Sequence, residues 1–513
     1  MANQPNVLIL HSDEHSFRFL SARSKERGGE DVDTPTMDGL VEQGVNFDAA
    51  CCQYPLCTPS RIAMLTGRHA HRCGAWSNGS ILRPELPSIG SQFQANGYKT
   101  ATAGKFHLGG SLQHAGFSAR PYGDFGGPCG HQDDPFHSDG GMRSRTIDAG
   151  ISDVPEAFLQ ENMIVRESVA LLREHKAANP EQPWLVYNSF SRPHFPLTCP
   201  RRFYERYYPD RVTDPRVGHT GDTADHPMTL GAIKGFRTDE ITEEEVVKGR
   251  SAYFGSVSFL DEILGDYLAI LNRDGLLDNT VIIYTSDHGD MVGEHGLWWK
   301  NTWHEGSMHV PLIVSLPEHR SGGLASSEVT QAVSLADLFP TLCGLTDTPK
   351  PDGLDGVDLS DAIRGDSCAA LDQRVGAITE SLNPRWGEGT EFRMIRSENY
   401  KYVAFRDCED IAIDMQADPD EQHNLVGKAT GDVAAELEKM RSEVLDGFSF
   451  DEVEAERDRD QKELRAKYPK RTECKTPNQI LLGDGRLVEA DAPLYLPEIV
   501  SRSPAEDFDD FPG

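Results

Sequence analysis

Two apolar runs far apart in the chain, Asn6-Val7-Leu8-Ile9-Leu10 and Thr280-Val281-Ile282-Ile283-Tyr284, pass into the same Ser-Asp step, Ser12-Asp13 in the first case and Ser286-Asp287 in the second. Several such β-rich runs are separated by helix-like stretches, and that alternation predicts an α/β fold on a largely parallel sheet. Gly97 to Ala103 leads into Gly104-Lys105-Phe106-His107, and Trp184 to Asn188 leads into Ser191-Arg192-Pro193-His194. In open α/β sheets ligands bind outside the carboxyl ends of the strands, so the four endings are expected to converge on one crevice. Asp13, Asp287, His288, Lys105, His107 and His194 are the polar residues they would bring there.

The chain has 513 residues, enough for a large core and two subdomains, which favours an enzyme over a small binding module. Lys and Arg total 50 against 82 Asp and Glu, a formal net charge of −32. A surface that acidic repels phosphate backbones and anionic headgroups, which argues against nucleic acid and membrane surfaces as partners. No apolar run approaches the roughly 20 residues of a membrane span. The N-terminal run lacks a basic flank and a cleavage site, so it reads as a strand and the expected location is cytoplasmic. Ten cysteines without a C-x-x-C pair do not make a disulfide scaffold and are expected to be mostly reduced and buried. Only 15 of the 50 basic residues are Lys, a composition in keeping with a saline habitat, although many mesophilic proteins are acidic too.

Residues 110–155 are rich in Gly, His and Asp, and residues 200–245 are charged and irregular, so both read as long surface loops that set substrate choice. Pro311-Leu312-Ile313-Val314 reads as a further strand, and a helix signal surrounds Asp337 to Leu342. Met394 to Val403 and Ile411 to Asp414 then predict a short antiparallel sheet closed by a helix near 430–446. The expected division is a catalytic domain over 1–385, a C-terminal subdomain over 386–448, and a charged helix with an acidic, Pro-rich tail over 449–513. That tail is a candidate arm for a homo-oligomer.

The most specific string is Cys57-Thr58-Pro59-Ser60-Arg61-Ile62-Ala63-Met64-Leu65-Thr66-Gly67-Arg68. Pro59 suits the first turn of a helix, Ile62 and Leu65 share its buried face, and an anion at Cys57 would meet the helix's positive end. For an arbitrary Cys-x-Pro, a buried structural cysteine is the simpler reading, but the full string resembles the signature of the type I sulfatases. Asn6 to Leu10, Gly104-Lys105-Phe106-His107-Leu108, Ser286-Asp287-His288-Gly289 and Asp414-Met415-Gln416-Ala417-Asp418-Pro419 resemble further family blocks in family order.

The resemblance implies an alkaline-phosphatase-like fold: a mixed, mainly parallel sheet sandwiched by helices, with a smaller C-terminal antiparallel-sheet subdomain. It implies that Cys57 is oxidised to formylglycine by a formylglycine-generating or sulfatase-maturing enzyme. The aldehyde hydrate would attack sulfur, expel the alcohol and collapse to the aldehyde again. It further implies one divalent cation held by Asp13, Glu14, Cys57, Asp287 and His288, with Ca²⁺ placed ahead of Mg²⁺ or Mn²⁺ for an oxygen-rich site. Arg61 matches the arginine that orients the hydrate, Lys105 and Lys300 the lysines that clamp sulfate oxygens, and His107 the partner of the hydrate. His194 matches the residue at the leaving-group oxygen, and Asn78 an asparagine that contacts the anion. The implied substrate is a small-molecule or oligosaccharide sulfate ester.

The pattern has departures. Glu14 stands where relatives have Asp or Gln, and His288 where many arylsulfatases have Asn, as in the choline-sulfatase and phosphonate monoester hydrolase groups. His309-Val310-Pro311 is similar to the iduronate-type sulfatases. A phosphonate monoester or phosphodiester hydrolase on the same scaffold is therefore the leading alternative, which Lys105 with His107 argues against. A non-catalytic anion- or glycan-binding relative with unmodified Cys57 is the other. Trp298, Trp299, Trp303 and His304 surround Lys300 and could wall a pocket or pack in the core. His131, Asp133, Asp134 and His137 have metal-like spacings, read here as the accident of a polar loop.

Overall fold

Val7 to Leu10 and Val281 to Tyr284 are at most 1 % exposed, which is why these runs are apolar throughout: each lies in mid-sheet with both faces covered. The computed structural model describes residues 4–123, 137–138, 141–469, 479–481 and 487–489. The strands of the main sheet are β1 (Asn6–Asp13), β2 (Val45–Phe47), β3 (Lys99–Gly104), β4 (Ala119–Tyr122), β5 (Trp184–Pro193), β6 (Thr280–Ser286), β7 (Leu312–Ser315) and β8 (Ser327–Val329). Among the described residues their order is β8-β2-β7-β6-β1-β5-β3-β4. β1 is central, with Leu8 in parallel register with Val186 on one side and Ile282 on the other. β7, the strand expected at 311–314, runs antiparallel to both β6 and β2.

Alternate residues of β1 feed two cores, as the period of a strand requires. Val7 and Ile9 join one with Ile62, Ala63 and Leu65 of α1 (Cys57–Thr66). Leu8 and Leu10 join the other with residues of α2 (Gln160–Ala178) and α3 (Glu243–Arg273). α3 starts in a capping box, Thr242 Oγ1 accepting from Glu245 N while the Glu245 carboxylate accepts from Thr242 N at 2.7 Å. Helices on both faces of a mixed, mainly parallel sheet are the architecture expected of the sequence.

The C-terminal sheet is antiparallel, with β9 (Ala377–Ser381), β10 (Phe392–Arg396), β11 (Tyr400–Phe405) and β12 (Ile411–Asp414) in that order. Its first strand lies ahead of residue 386. Ile395, Tyr402 and Ala404 pack against Leu437, Met440 and Val444 of α4 (Gly431–Leu445), while Phe392, Met394 and Val403 face the main core. α5 (Phe450–Lys467) is the charged helix of the sequence and buries only Val453 and Arg457. Beyond it the described residues are Gln479–Leu481 paired antiparallel with Leu487–Glu489, so the oligomerisation arm largely lies outside the described residues.

Residues 200–245 correct the loop expectation, since they carry the helices Arg201–Tyr207 and Pro227–Phe236. Phe203, Tyr204 and Tyr207, then Met228, Ala232 and Phe236, supply a buried face at helical spacing, and the intervening charges hide it in the composition. His131, Asp133 and Asp134 lie outside the described residues, and His137 pairs instead with the exposed Asp153 at 2.9 Å. The eight described cysteines are all free, and seven are buried. Among the described residues no helix is long and apolar enough to cross a membrane.

One buried charge cluster ties the C-terminal sheet to the helical turn after Lys300. Lys401 of β11, fully buried, holds Glu305 at 2.6 Å and Glu421 at 2.5 Å, and Glu305 also meets His309 at 2.9 Å. Removing one partner of such a cluster leaves uncompensated charge in the core, at a cost of about 3–5 kcal/mol. Lys401→Ala is expected to lower the apparent Tm by several degrees, whereas exchange of the exposed Lys439 leaves it within error; differential scanning fluorimetry on both variants checks this.

Candidate active site

The carboxyl ends of β1, β6, β3 and β5 deliver Asp13, Asp287, Lys105 and His194 to one crevice, and α1 meets it with its first residue, Cys57. α1 is buried along its whole length and stops at Gly67, whose φ of 64° lets its N–H reach the carbonyls of Ala63 and Met64. A side chain there would press on Leu354 and Phe339, which explains the glycine after Leu65-Thr66.

Arg61, one turn into α1 and fully buried, fixes the strand ends relative to one another. It donates from Nε to Asp287 at 2.8 Å, from Nη2 to Asp13 at 2.6 Å, and from Nη1 to Lys105 O and Ser189 Oγ, both at 2.7 Å. Asp287 also accepts from the backbone N–H of Glu14 at 3.1 Å and of His288 at 3.0 Å. Glu14 has a φ of 69°, an uncommon conformation for a residue with a side chain. It is held there by that bond to Asp287 and by Tyr253, whose hydroxyl donates to Glu14 O at 2.5 Å.

Cys57 Sγ is ringed by cations and imidazoles. Lys300 Nζ lies at 3.3 Å, His288 Nε2 at 3.2 Å and Lys105 Nζ at 3.9 Å, and His107 also hydrogen-bonds to the thiol. Burial raises the thiol's pKa, but the charges of Lys105, Lys300 and His288 outweigh it and hold the group well below its ordinary range. Lys105 also contacts Asp13 at 2.6 Å and Lys300 contacts Glu14 at 3.0 Å. Burial pushes Glu14 up to about 8 even against the Lys300 charge. Burial alone would depress His288, yet the neighbouring Asp287 carries it to about 9. His194 donates from Nδ1 to Phe195 O at 2.6 Å and presents Nε2 to Glu14 at 3.4 Å and Asp13 at 3.7 Å. Burial and the two lysines hold its pKa well below the usual imidazole value.

Asn78 is one step removed. Its Oδ1 accepts from Thr58 N at 3.1 Å, capping the first turn of α1, and Thr58 Oγ1 donates to His107 O. Asn78 also lines a cleft of about 450 Å³ with Tyr54, Leu56, Asn301 and Arg385. Of the two readings of the tryptophans, pocket wall or core, the structure bears out the core. Trp298, Trp299 and Trp303 are at most 2 % exposed, and Trp303 stacks on the buried His304 at 3.9 Å. Trp299 and Asn301 have φ of 66° and 68°, and these two turns aim Lys300 at the crevice while the indoles pack in the cores.

Ser189, Tyr253, Arg145 and Arg385 also reach this region and were not singled out from the sequence. Ser189 could have been found had the strand from Trp184 been read beyond Asn188. Tyr253 sits inside a long amphipathic helix, and no local pattern marks it.

Two donor groups could hold a cation, each with ligand atoms within 4.8 Å of one another: Asp13, Cys57, Asp287 and His288, and Asp13, Glu14 and His194. Glu14 Oε1 is buried without a partner, an acceptor facing nothing that neutralises it. Buried carboxylates with one orphaned oxygen fit a hard divalent ion.

A sheet ending in carboxylates, with an activated side chain at a helix N-terminus among lysines and imidazoles, defines a hydrolase site for an oxyanion ester. Residues 5–348 match the sulfatase family model, and residues 293–446 match that of the C-terminal region of N-sulphoglucosamine sulphohydrolase. The chain belongs to the sulfatase family and is a sulfuric ester hydrolase of alkaline-phosphatase-like fold. It is 27 % identical to a choline-sulfatase of Rhizobium meliloti over 84 % of each chain. It is 26 % identical to an arylsulfatase of Clostridium perfringens over 82 % of this chain and 90 % of that one. The structure of a phosphonate monoester hydrolase of Agrobacterium radiobacter superposes with a TM-score of 0.70 at 25 % identity, over 95 % of this chain and 99 % of the other.

Arg61→Lys keeps the charge and loses the planar fork that serves Asp13 and Asp287 together. We expect at least a hundredfold lower kcat/KM on an aryl sulfate, with a lowered apparent Tm. Near-native activity in steady-state assays would show that the strand ends hold without the guanidinium.

Proposed function

We propose that the chain hydrolyses sulfate monoesters of a saccharide or small organosulfate, with formylglycine made from Cys57 and one divalent cation. The observation that carries this reading is the surround of Cys57 Sγ, with Lys105, Lys300, His288 and His107 on the thiol and Asp13 and Asp287 locked beside it by Arg61. The modified residue supplies a hydroxyl nucleophile, and the cation supplies positive charge to nucleophile and sulfate oxygens alike. Asp13, Glu14, Asp287 and His288 would hold that ion, with Ca²⁺ first and Mg²⁺ or Mn²⁺ next. Conversion of Cys57 requires a maturing enzyme as partner.

The chain's own residues then have separable tasks. Lys105 and Lys300 bring two ammonium groups to the anion and confine its oxygens. His194, with Nδ1 committed to Phe195 O, stands at the leaving-group side. Burial and the lysines disfavour the imidazolium, so Nε2 is an acceptor in the resting site and takes up a proton before it passes one to the leaving oxygen. Asn78 fixes the first turn of α1 and borders the cleft for the alcohol.

A phosphonate monoester hydrolase is the second reading, favoured by the superposition on the Agrobacterium radiobacter structure. Lys105 and His107 at the thiol favour the first. The deciding experiment expresses the chain in a host competent to mature sulfatases and weighs the Cys57 peptide. A loss of about 18 Da is the stoichiometry of thiol to aldehyde. The matured enzyme is then expected to show higher kcat/KM on phenyl sulfate than on a phenyl phosphonate ester, and Cys57→Ala to abolish both. The reverse preference would move the assignment to phosphorus, and an unmodified thiol would move it to an anion-binding relative.

The cation makes a separate prediction. Glu14 at about 8 and His288 at about 9 carry protons at pH 7 in the metal-free protein and must lose them to act as ligands. Ca²⁺ binding is therefore expected to release protons and to tighten between pH 6 and pH 9. Calorimetry in two buffers of different ionisation enthalpy measures this, and a binding heat independent of buffer excludes these two residues as ligands.

A further inference from the structure

Beyond Lys300 lies a packed group of aromatic rings that carries two guanidinium groups. Arg145, in the helical turn Ser144–Ile147, places Cζ 3.5 Å from the Phe195 ring centroid and 4.9 Å from that of Trp299. Phe195 adjoins His194, and its ring also lies 5.3 Å from Lys300 Nζ. Arg385, in the link between β9 and β10, lies 4.9 Å from the Trp386 ring. Phe236 is common to both, 6.0 Å from Arg145 Cζ and 5.6 Å from Arg385 Cζ. Trp386 Nε1 donates to Asn301 O at 2.6 Å, which ties the Arg385 segment to the turn that aims Lys300.

Among the described residues neither guanidinium has a hydrogen bond or an acidic partner. Arg61, Arg250, Arg393 and Arg396 are buried on carboxylates, Asp13, Glu30, Glu380 and Glu305 in turn, whereas Arg145 is half-buried, Arg385 is exposed, and both rest on rings. Burial, joined by the charge of Arg385, outweighs the pull of Glu14 and Asp290 and brings Arg145 down to about 10. Both lie within electrostatic range of Cys57. Arg385 further lines the cleft of about 450 Å³ that runs past Asn78 and Asn301. The two guanidiniums flank the same Phe236 ring beside the crevice, and an oxyanion between them would meet both.

We propose that Arg145 and Arg385 form a second anion subsite, so that the preferred substrates are sulfate esters whose alcohol bears another oxyanion, a carboxylate or a further sulfate. This rests on the sulfatase reading above and narrows it. Guanidinium forks match planar oxyanions in a way an ammonium does not, and the half-buried ring of Trp386 offers a face for the flat side of a sugar or aryl group. The same charges oppose an alcohol bearing a quaternary ammonium, so the likeness to a choline-sulfatase does not extend to its substrate.

The test compares two esters of nearly equal shape, 4-sulfooxybenzoate and 4-sulfooxybenzamide, on the matured full-length enzyme. The expected ratio of kcat/KM, carboxylate over amide, is at least about tenfold in favour of the carboxylate, the scale of one charge-assisted contact. It is expected to fall about tenfold in Arg385→Gln, whose exposed site tolerates the change, and further when Arg145→Gln is added. A wild-type ratio at or below one, or a ratio unmoved in both variants, overturns the subsite. If the matured enzyme cleaves neither ester, the sulfatase reading fails on its own, and calorimetric binding of the two esters to the same protein decides the subsite. Tighter binding of the carboxylate that is lost in Arg385→Gln sustains it; equal binding of the two overturns it.

Discussion

A single guanidinium sets the geometry on which the rest of the site depends. Arg61 reaches from α1 to the ends of β1 and β6 through Asp13 and Asp287, to the residue after β3 through Lys105 O, and to β5 through Ser189. Four parallel strands can slide and twist relative to one another, and apolar packing between them has no direction of its own. The Arg61 bonds have direction. Desolvating an arginine and two carboxylates costs several kcal/mol per ion, so such a cluster is a poor means of stabilising a fold and a good means of fixing one arrangement of its parts. Here that arrangement places Cys57 at the head of its helix, two carboxylates and a lysine at contact distance, with all four groups withdrawn from water.

The backbone departures around the crevice follow from the same demand. Glu14, His107, Trp299 and Asn301 have positive φ although none is glycine, and all lie within two residues of a group that meets Cys57 or Asp13. Each turn of this kind costs about 1–3 kcal/mol unless its surroundings hold it. Glu14 is held by Asp287 and Tyr253, and the Lys300 turn by two buried indoles and the Trp386 bond to Asn301. The strain lies where side chains must leave the direction of their strand to face the ester.

Much of this was legible in the sequence, because the signals were local. Continuous apolar runs ending in Ser-Asp marked β1 and β6, and Pro59 with the Ile62 and Leu65 spacing behind Cys57 marked α1. The polar residues after four strand ends do converge. What stayed hidden was non-local or masked by composition. The helices at Arg201–Tyr207 and Pro227–Phe236 are short, and the charges of the first and of the segment between them outvoted their apolar faces in the count. The indoles flanking Lys300 read equally as pocket walls or as core because spacing alone does not say which way a chain turns. Arg145 and Arg385 lie in unrelated segments, and what distinguishes them is the missing partner, which no sequence displays.

The hairpin between β9 and β10 belongs to the C-terminal sheet, yet it supplies Asn383 and Arg385 to the cleft and Trp386 to the turn behind Lys300. The sheet it grows from is bolted to the segment after Lys300 by Lys401 and Glu305. The small sheet is thus not an appendage that could be shed or shuffled while the chemistry stayed intact. A lineage that lengthened or recoloured this hairpin would alter the reception of the alcohol with one insertion, leaving the nucleophile helix and its arginine untouched. Divergence in this architecture has an inexpensive route through its C-terminal third.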